Sequence, residues 1–285
     1  MTLNFSYKIL LPVISIIAVV FMVSILFMQS SADEVSSYQG PQKAAIIDQL
    51  YNEFPSESFQ KQAREYLESV GYEVDVFTTD QITVDFYKDL PKMNYKYVII
   101  RTHGVSEDGD DNSVGLFTGE KYSEEKYITE QLFGHLKKGA ALLDLLFVAD
   151  TSKAENWVKI NSTAYEIKSS AHVIDNTKDE YFVISSSFVD KVMVGNFDKT
   201  IFILGGCDTL SEPSFAKSLT KRGASVVVGW EDQVGASTND QMILKLLDDT
   251  LIQKIELKES LDSVMNTFSR AEPLPKITYQ TSEDI

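Results

Sequence analysis

The stretch Ile201-Phe-Ile-Leu-Gly-Gly-Cys207-Asp-Thr-Leu-Ser-Glu-Pro213 decides the fold. Four consecutive apolar residues entered from Thr200 have the pattern of a buried strand, and the two glycines after them allow a sharp turn or a close backbone approach. Ser211, Glu212 and Pro213 then mark a helix start. A side chain at such a strand-to-helix corner sits at the carboxyl edge of a parallel sheet, where open α/β folds place their sites. Cys207 holds that corner and is the only cysteine in the chain. We read it as a nucleophile. The plainer alternative is a buried structural thiol, because free cysteine is among the most buried residue types.

Working outward, residues 212–222 read as a helix with Phe215 and Leu219 spaced i, i+4 and Gly223 as C-cap. A buried strand follows at 224–228 and ends in Gly229-Trp230-Glu231-Asp232. Helices at 239–253 and 257–268 complete the domain, with Pro273 and Pro275 marking an exposed tail over 269–285. Upstream, a strand at 181–185 leads into a helix at 187–194 closed by Gly195-Asn196. Nearer the amino terminus, residues 44–48 form a strand, and 57–70 form a helix with Phe59, Ala63, Tyr66, Leu67 and Val70 at helical spacing. A strand at 72–77, a short helix at 83–90 and a strand at 95–101 come next, the last ending at Thr102-His103-Gly104. Strands alternating with helices imply an α/β fold with a mostly parallel central sheet. Residues 105–180 read as an irregular insertion, with a small hairpin at 114–118, a helical pattern at 127–136 and an ambiguous apolar run at 140–148.

Hydrophobic residues make up 44% of the 285 and charged residues 24%, ordinary values for a globular protein. Acidic residues outnumber basic ones by 42 to 26, a formal charge of −16 with no Lys/Arg-rich run, which argues against a nucleic-acid partner. A single cysteine excludes an internal disulfide and any metal site built from several thiolates.

Residues 9–28, ILLPVISIIAVVFMVSILFM, carry no charge and have the length of a membrane-crossing helix. Lys8 precedes the segment and Asp33 and Glu34 follow it. That asymmetry predicts a short cytoplasmic amino terminus (1–8), a signal anchor (9–28), a linker (29–42) and an extracytoplasmic domain from residue 43 to 268. A cleaved signal peptide with Ser30-Ser31-Ala32 as cleavage site is the rival, disfavoured by the length of the apolar run. Asn161-Ser162-Thr163 is then a glycosylation acceptor on the outer face.

Thiol-dependent hydrolysis needs a thiolate, a base that accepts and returns the proton, and donors for the oxyanion. His103 and Cys207 supply the first two, each following an apolar strand and each bordering glycine. The backbone N–H groups of Gly104 and Cys207 are the candidate oxyanion donors. Of the other histidines, His135 reads as a surface residue, and His172 lacks both a preceding apolar strand and a following glycine.

Strand-His-Gly, then strand-Gly-Cys, then helix, strand and Gly-Trp-acid resembles the caspase-like cysteine peptidases of clan CD, in flavour the gingipain-like, separase and CHAT proteins. The resemblance spans about residues 44–268, the 105–180 segment excepted. It implies a three-layer caspase-like fold, a His103/Cys207 dyad and a peptide substrate. The caspase signature Gln-Ala-Cys-Arg-Gly is replaced by Gly205-Gly206-Cys207-Asp208, so aspartate specificity is not implied. Relatives that cut after Arg or Lys carry a carboxylate in the first specificity pocket. Glu231 is the first candidate for that role, with Asp232 and Asp208 next, and Trp230 is expected to line the groove, with a place in the core as the plainer reading. No cofactor is required, although the acidic run Glu107-Asp-Gly-Asp-Asp-Asn112 offers oxygen ligands for calcium without an EF-hand pattern. Two other classes stay open: a catalytically inactive caspase-like surface module, and a redox-sensing thiol, the latter without a resolving cysteine.

Overall fold

A computed structural model describes residues 41–106, 114–121, 146–150, 157–159, 180–269 and 275–284. The anchor segment, the linker, the acidic run, His135, His172 and the glycosylation triplet lie outside them. Among the described residues no helix is long and apolar enough to cross a membrane.

The central sheet has six strands: β1 Gln42–Asp48, β2 Tyr72–Thr78, β3 Tyr95–Arg101, β9 Thr200–Gly205, β10 Ala224–Trp230 and β11 Ile277–Thr281. Their order across the sheet is β11-β10-β9-β3-β1-β2. All neighbours run parallel except β11, which pairs antiparallel with β10. The expected exposed tail therefore contains an edge strand: Ile277 is buried, and Glu231 N–H donates to Lys276 O at 2.8 Å to extend the ladder.

The strands are apolar on both faces because helices cover both. Ala45, Ile47, Val98, Ile100, Phe202, Leu204 and Val227 face α2 (Val84–Asp89), α3 (Ser186–Lys191) and α4 (Ser214–Lys221). Ala44, Ile46, Tyr97, Ile99, Ile203, Val228 and Trp230 face α1 (Glu57–Ser69), α5 (Ala236–Leu247) and α6 (Leu257–Thr267). The helices present one apolar stripe each. In α1 the fully buried positions Phe59, Ala63 and Leu67 recur every four residues, and burying the Phe and Leu side chains contributes roughly 1.5–3 kcal/mol apiece.

The region expected to be irregular instead contributes a second sheet. β4 (Gly104–Ser106), β5 (Val114–Lys121), β6 (Leu146–Asp150), β7 (Trp157–Lys159) and β8 (Glu180–Ser185) form an antiparallel sheet in the order β4-β5-β8-β6-β7. The strand expected at 181–185 is thus β8, in this second sheet rather than the central one. Its Phe182 and Ile184 join the core against the first face of the central sheet. Only Thr102 and His103 separate the end of β3 from the start of β4, so the second sheet grows directly from the turn that carries His103.

Candidate functional site

β3 and β9 are parallel neighbours with Arg101 opposite Gly205, and Thr102 N–H donates to Gly205 O at 2.9 Å. His103 and Cys207 each lie two residues beyond that last register pair, so the sheet delivers both corners to one edge. The turns interlock. A Cβ on Gly104 would stand 2.1 Å from Cys207 O, and one on Gly206 would stand 2.4 Å from Thr102 O. Only glycine permits this approach, which accounts for both the His-Gly and the Gly-Cys pairs of the sequence.

The His103 corner is held by side chains from the short 3₁₀ turn Gln49–Asn52 and the residue after it. Buried Gln49 accepts through Oε1 from His103 N–H and from the Thr102 hydroxyl, both at 3.2 Å. The imidazole packs edge-on against Phe54 and Phe117, at centroid distances of 6.2 and 5.5 Å. Its Nε2 lies 2.8 Å from Glu53 Oε2. A carboxylate only accepts, so Nε2 carries the proton and Nδ1 is left as the basic nitrogen. Glu53 was not singled out in the sequence: an acid on an exposed turn fifty residues upstream carries no local signal.

The Cys207 corner is held differently. Val234 N–H donates to Sγ at 3.4 Å, and Sγ–H donates to Val234 O at 3.5 Å. Burial pushes the thiol pKa up, the Asp208 charge adds to that, and hydrogen bonds from Val234 and from the Cys207 backbone oppose it. The resting form is therefore the protonated thiol. Among the described residues the imidazole bonds to Glu53 and the thiol to Val234, not to each other.

The ladder geometry also orients Gly104. Phe117 N–H donates to His103 O, which makes that pair the hydrogen-bonded one, and the adjacent Gly104/Leu116 pair is then non-hydrogen-bonded. The Gly104 N–H consequently turns away from β5.

The remaining candidates separate. Trp230 is 1% exposed and its Nε1–H donates to Asn239 Oδ1 at 2.8 Å. It is a core residue with no surface for a ligand, which corrects the expectation that it lines a groove. Glu231 is partly exposed, forms an ion pair with Lys276, and lines a surface cleft of about 720 Å³ together with Leu210, Lys217 and Tyr279. Asp232 is exposed, and its carbonyl accepts from Asp208 N–H at 3.2 Å. Asp208 is itself buried, with a left-handed φ of 55°. Beneath the corners, buried Arg101 donates from Nε to Asp240 at 2.6 Å and from Nη1 to Asp48 at 2.9 Å. This cluster ties the end of β1 to the start of α5. Among the described residues no group of His, Cys, Asp or Glu could hold a metal ion.

A half-buried thiol, an imidazole with a carboxylate partner and glycine amides at one sheet edge together make a site with the parts for acyl transfer. No family model and no curated protein matches the chain.

Proposed function

We propose that the chain is a cysteine endopeptidase of the caspase-like superfamily, tethered to the membrane by residues 9–28 with its catalytic domain extracytoplasmic. The observation that carries this is the interlock of two parallel strand ends, one bearing Cys207 and the other a histidine whose Nε2 is engaged by Glu53. Cys207 Sγ attacks the scissile carbonyl as His103 Nδ1 takes its proton, and Glu53 stabilises the imidazolium that forms. The N–H groups of Gly104 and Cys207 receive the oxyanion. The imidazolium then protonates the leaving amine, and water, deprotonated by His103, releases the acyl group and regenerates the thiol. Because burial raises the thiol pKa, the thiolate forms by transfer to His103 during attack rather than resting as an ion pair.

Glu231, Asp232 and Asp208 favour substrates with a basic residue before the cut. Glu231 already holds the ammonium of Lys276, so a substrate cation binding there displaces it. The test is the full-length chain in detergent, given basic-P1 and acidic-P1 peptide libraries beside Cys207→Ala. Basic-P1 cleavage lost in the variant supports the proposal, and cleavage that persists in it removes Cys207 from the mechanism. Calcium binding by residues 107–112 is checked by melting with and without chelator, an unchanged transition dismissing it.

A second reading, a catalytically inactive surface module, is favoured by the raised thiol pKa and the absent hydrogen bond between His103 and Cys207. A Cys207 inert to iodoacetamide in the folded protein and reactive only after denaturation supports that module.

A further inference from the structure

Thr209 lies two residues past Cys207, is fully buried, and its side chain reaches three backbone segments at once. Its hydroxyl donates to Leu204 O at 3.0 Å, with Gly206 O as second acceptor at 3.2 Å, and accepts from Trp230 N–H at 3.1 Å. Its methyl carbon would stand 2.9 Å from a Cβ on Gly104. One side chain therefore joins the end of β9, the end of β10 and the His-Gly turn.

We propose that Thr209 is a positioning residue that sets the plane of the Gly206–Cys207 peptide and thereby aims the Cys207 N–H. A trans peptide points its C=O and N–H in opposite directions. With Gly206 O drawn inward to the buried hydroxyl, the Cys207 N–H faces the opposite way, and that amide is one of the two backbone donors that hold the thiol pKa down. The same N–H is the one assigned to the oxyanion. This inference rests on the peptidase proposal only for what the orientation serves. The orientation itself is a property of the corner.

The test compares full-length wild type with Thr209→Val, which keeps the methyl and replaces the hydroxyl by a second methyl, and Thr209→Ser, which keeps the hydroxyl and loses the methyl. Two readouts are taken: the pH profile of Cys207 alkylation by iodoacetamide, and kcat and KM on any peptide that wild type cleaves. Thr209→Val is expected to move the alkylation profile upward by about one pH unit, because the thiolate keeps the Val234 N–H but loses the Cys207 amide as a donor. It is also expected to lower kcat by about tenfold to a hundredfold with KM within about threefold, the pattern of misplaced reacting groups. Thr209→Ser is expected to stay within about threefold of wild type in both readouts, since the hydroxyl is retained. If Thr209→Val does not fold, Thr209→Ala against Thr209→Ser makes the same comparison. Equal behaviour of wild type and the hydroxyl-free variants overturns the inference, as does equal loss in Thr209→Ser. If wild type cleaves no peptide, the peptidase proposal falls while the alkylation profile still decides the role of Thr209.

Discussion

The two corners of the site are built from different materials. His103 is fixed by side chains, Gln49 on its backbone and Glu53 on its ring, drawn from a turn at the end of β1. Cys207 is fixed mostly by backbone: Leu210 N–H donates to Trp230 O at 2.8 Å, Asp208 N–H to Asp232 O, and Val234 brackets the thiol. The base is thus adjustable by replacing one partly exposed residue, whereas the nucleophile moves only if the β9–β10 connection moves.

The largest expected effect comes from the cluster beneath both corners. Arg101→Met leaves Asp48 and Asp240 as unpaired buried carboxylates, a loss of about 3–5 kcal/mol that lowers the melting temperature by roughly 10 °C or more. A variant melting with wild type would show that the corners do not depend on that support. Gly104→Ala strikes the interlock itself: its Cβ meets the Cys207 carbonyl at 2.1 Å, so the backbones must part. We expect about 1–3 kcal/mol of destabilisation by thermal melting together with lost peptide turnover. Full activity in this variant would mean that the turns are not locked.

Glu53→Gln tests the adjustable corner. The exchange keeps shape and removes charge, so turnover is expected to fall about tenfold, equivalent to about 1.4 kcal/mol of transition-state stabilisation. The melting temperature should barely change, because the Glu53 side chain is 34% exposed. A drop in melting without a drop in rate would make Glu53 structural.

The smallest effect is a pH dependence at the rigid corner. Burial raises the folded thiol's pKa above its ordinary value, so the unfolded chain ionises first as pH rises. The contribution of Cys207 to stability is complete below the ordinary thiol pKa of about 8.5 and is lost as pH climbs from there through the folded value. Denaturant titrations should show wild type losing more stability than Cys207→Ala across that alkaline window. Parallel curves would mean that the thiol is not shielded.

The difference between the corners also explains what could be read from sequence. Apolar runs ending in His-Gly and Gly-Cys located both, because a buried parallel strand and its glycine turn are local patterns. Of the two readings of Trp230, groove and core, the period of two in β10 favours the core, because it puts the residue on the same face as Val226 and Val228, under α5. Glu53 and Gln49 were illegible because their roles depend on β1 lying beside β3, a tertiary relation. The second sheet was hidden for the same reason: the pairings that join its parts, β5 with β8 and β6 with β8, span long separations. The edge strand β11 follows prolines that read as a tail, and only its antiparallel pairing with β10 makes it a strand.

The central claim is that the two corners act as one site. The most direct measurement is the labelling rate of Cys207 by a peptidyl chloromethyl ketone with a basic P1 residue, in wild type and in His103→Ala. The account predicts that wild type is labelled at Cys207 and that His103→Ala is slowed by about a hundredfold or more, the usual weight of a positioned base. Equal labelling rates in the two proteins would contradict it.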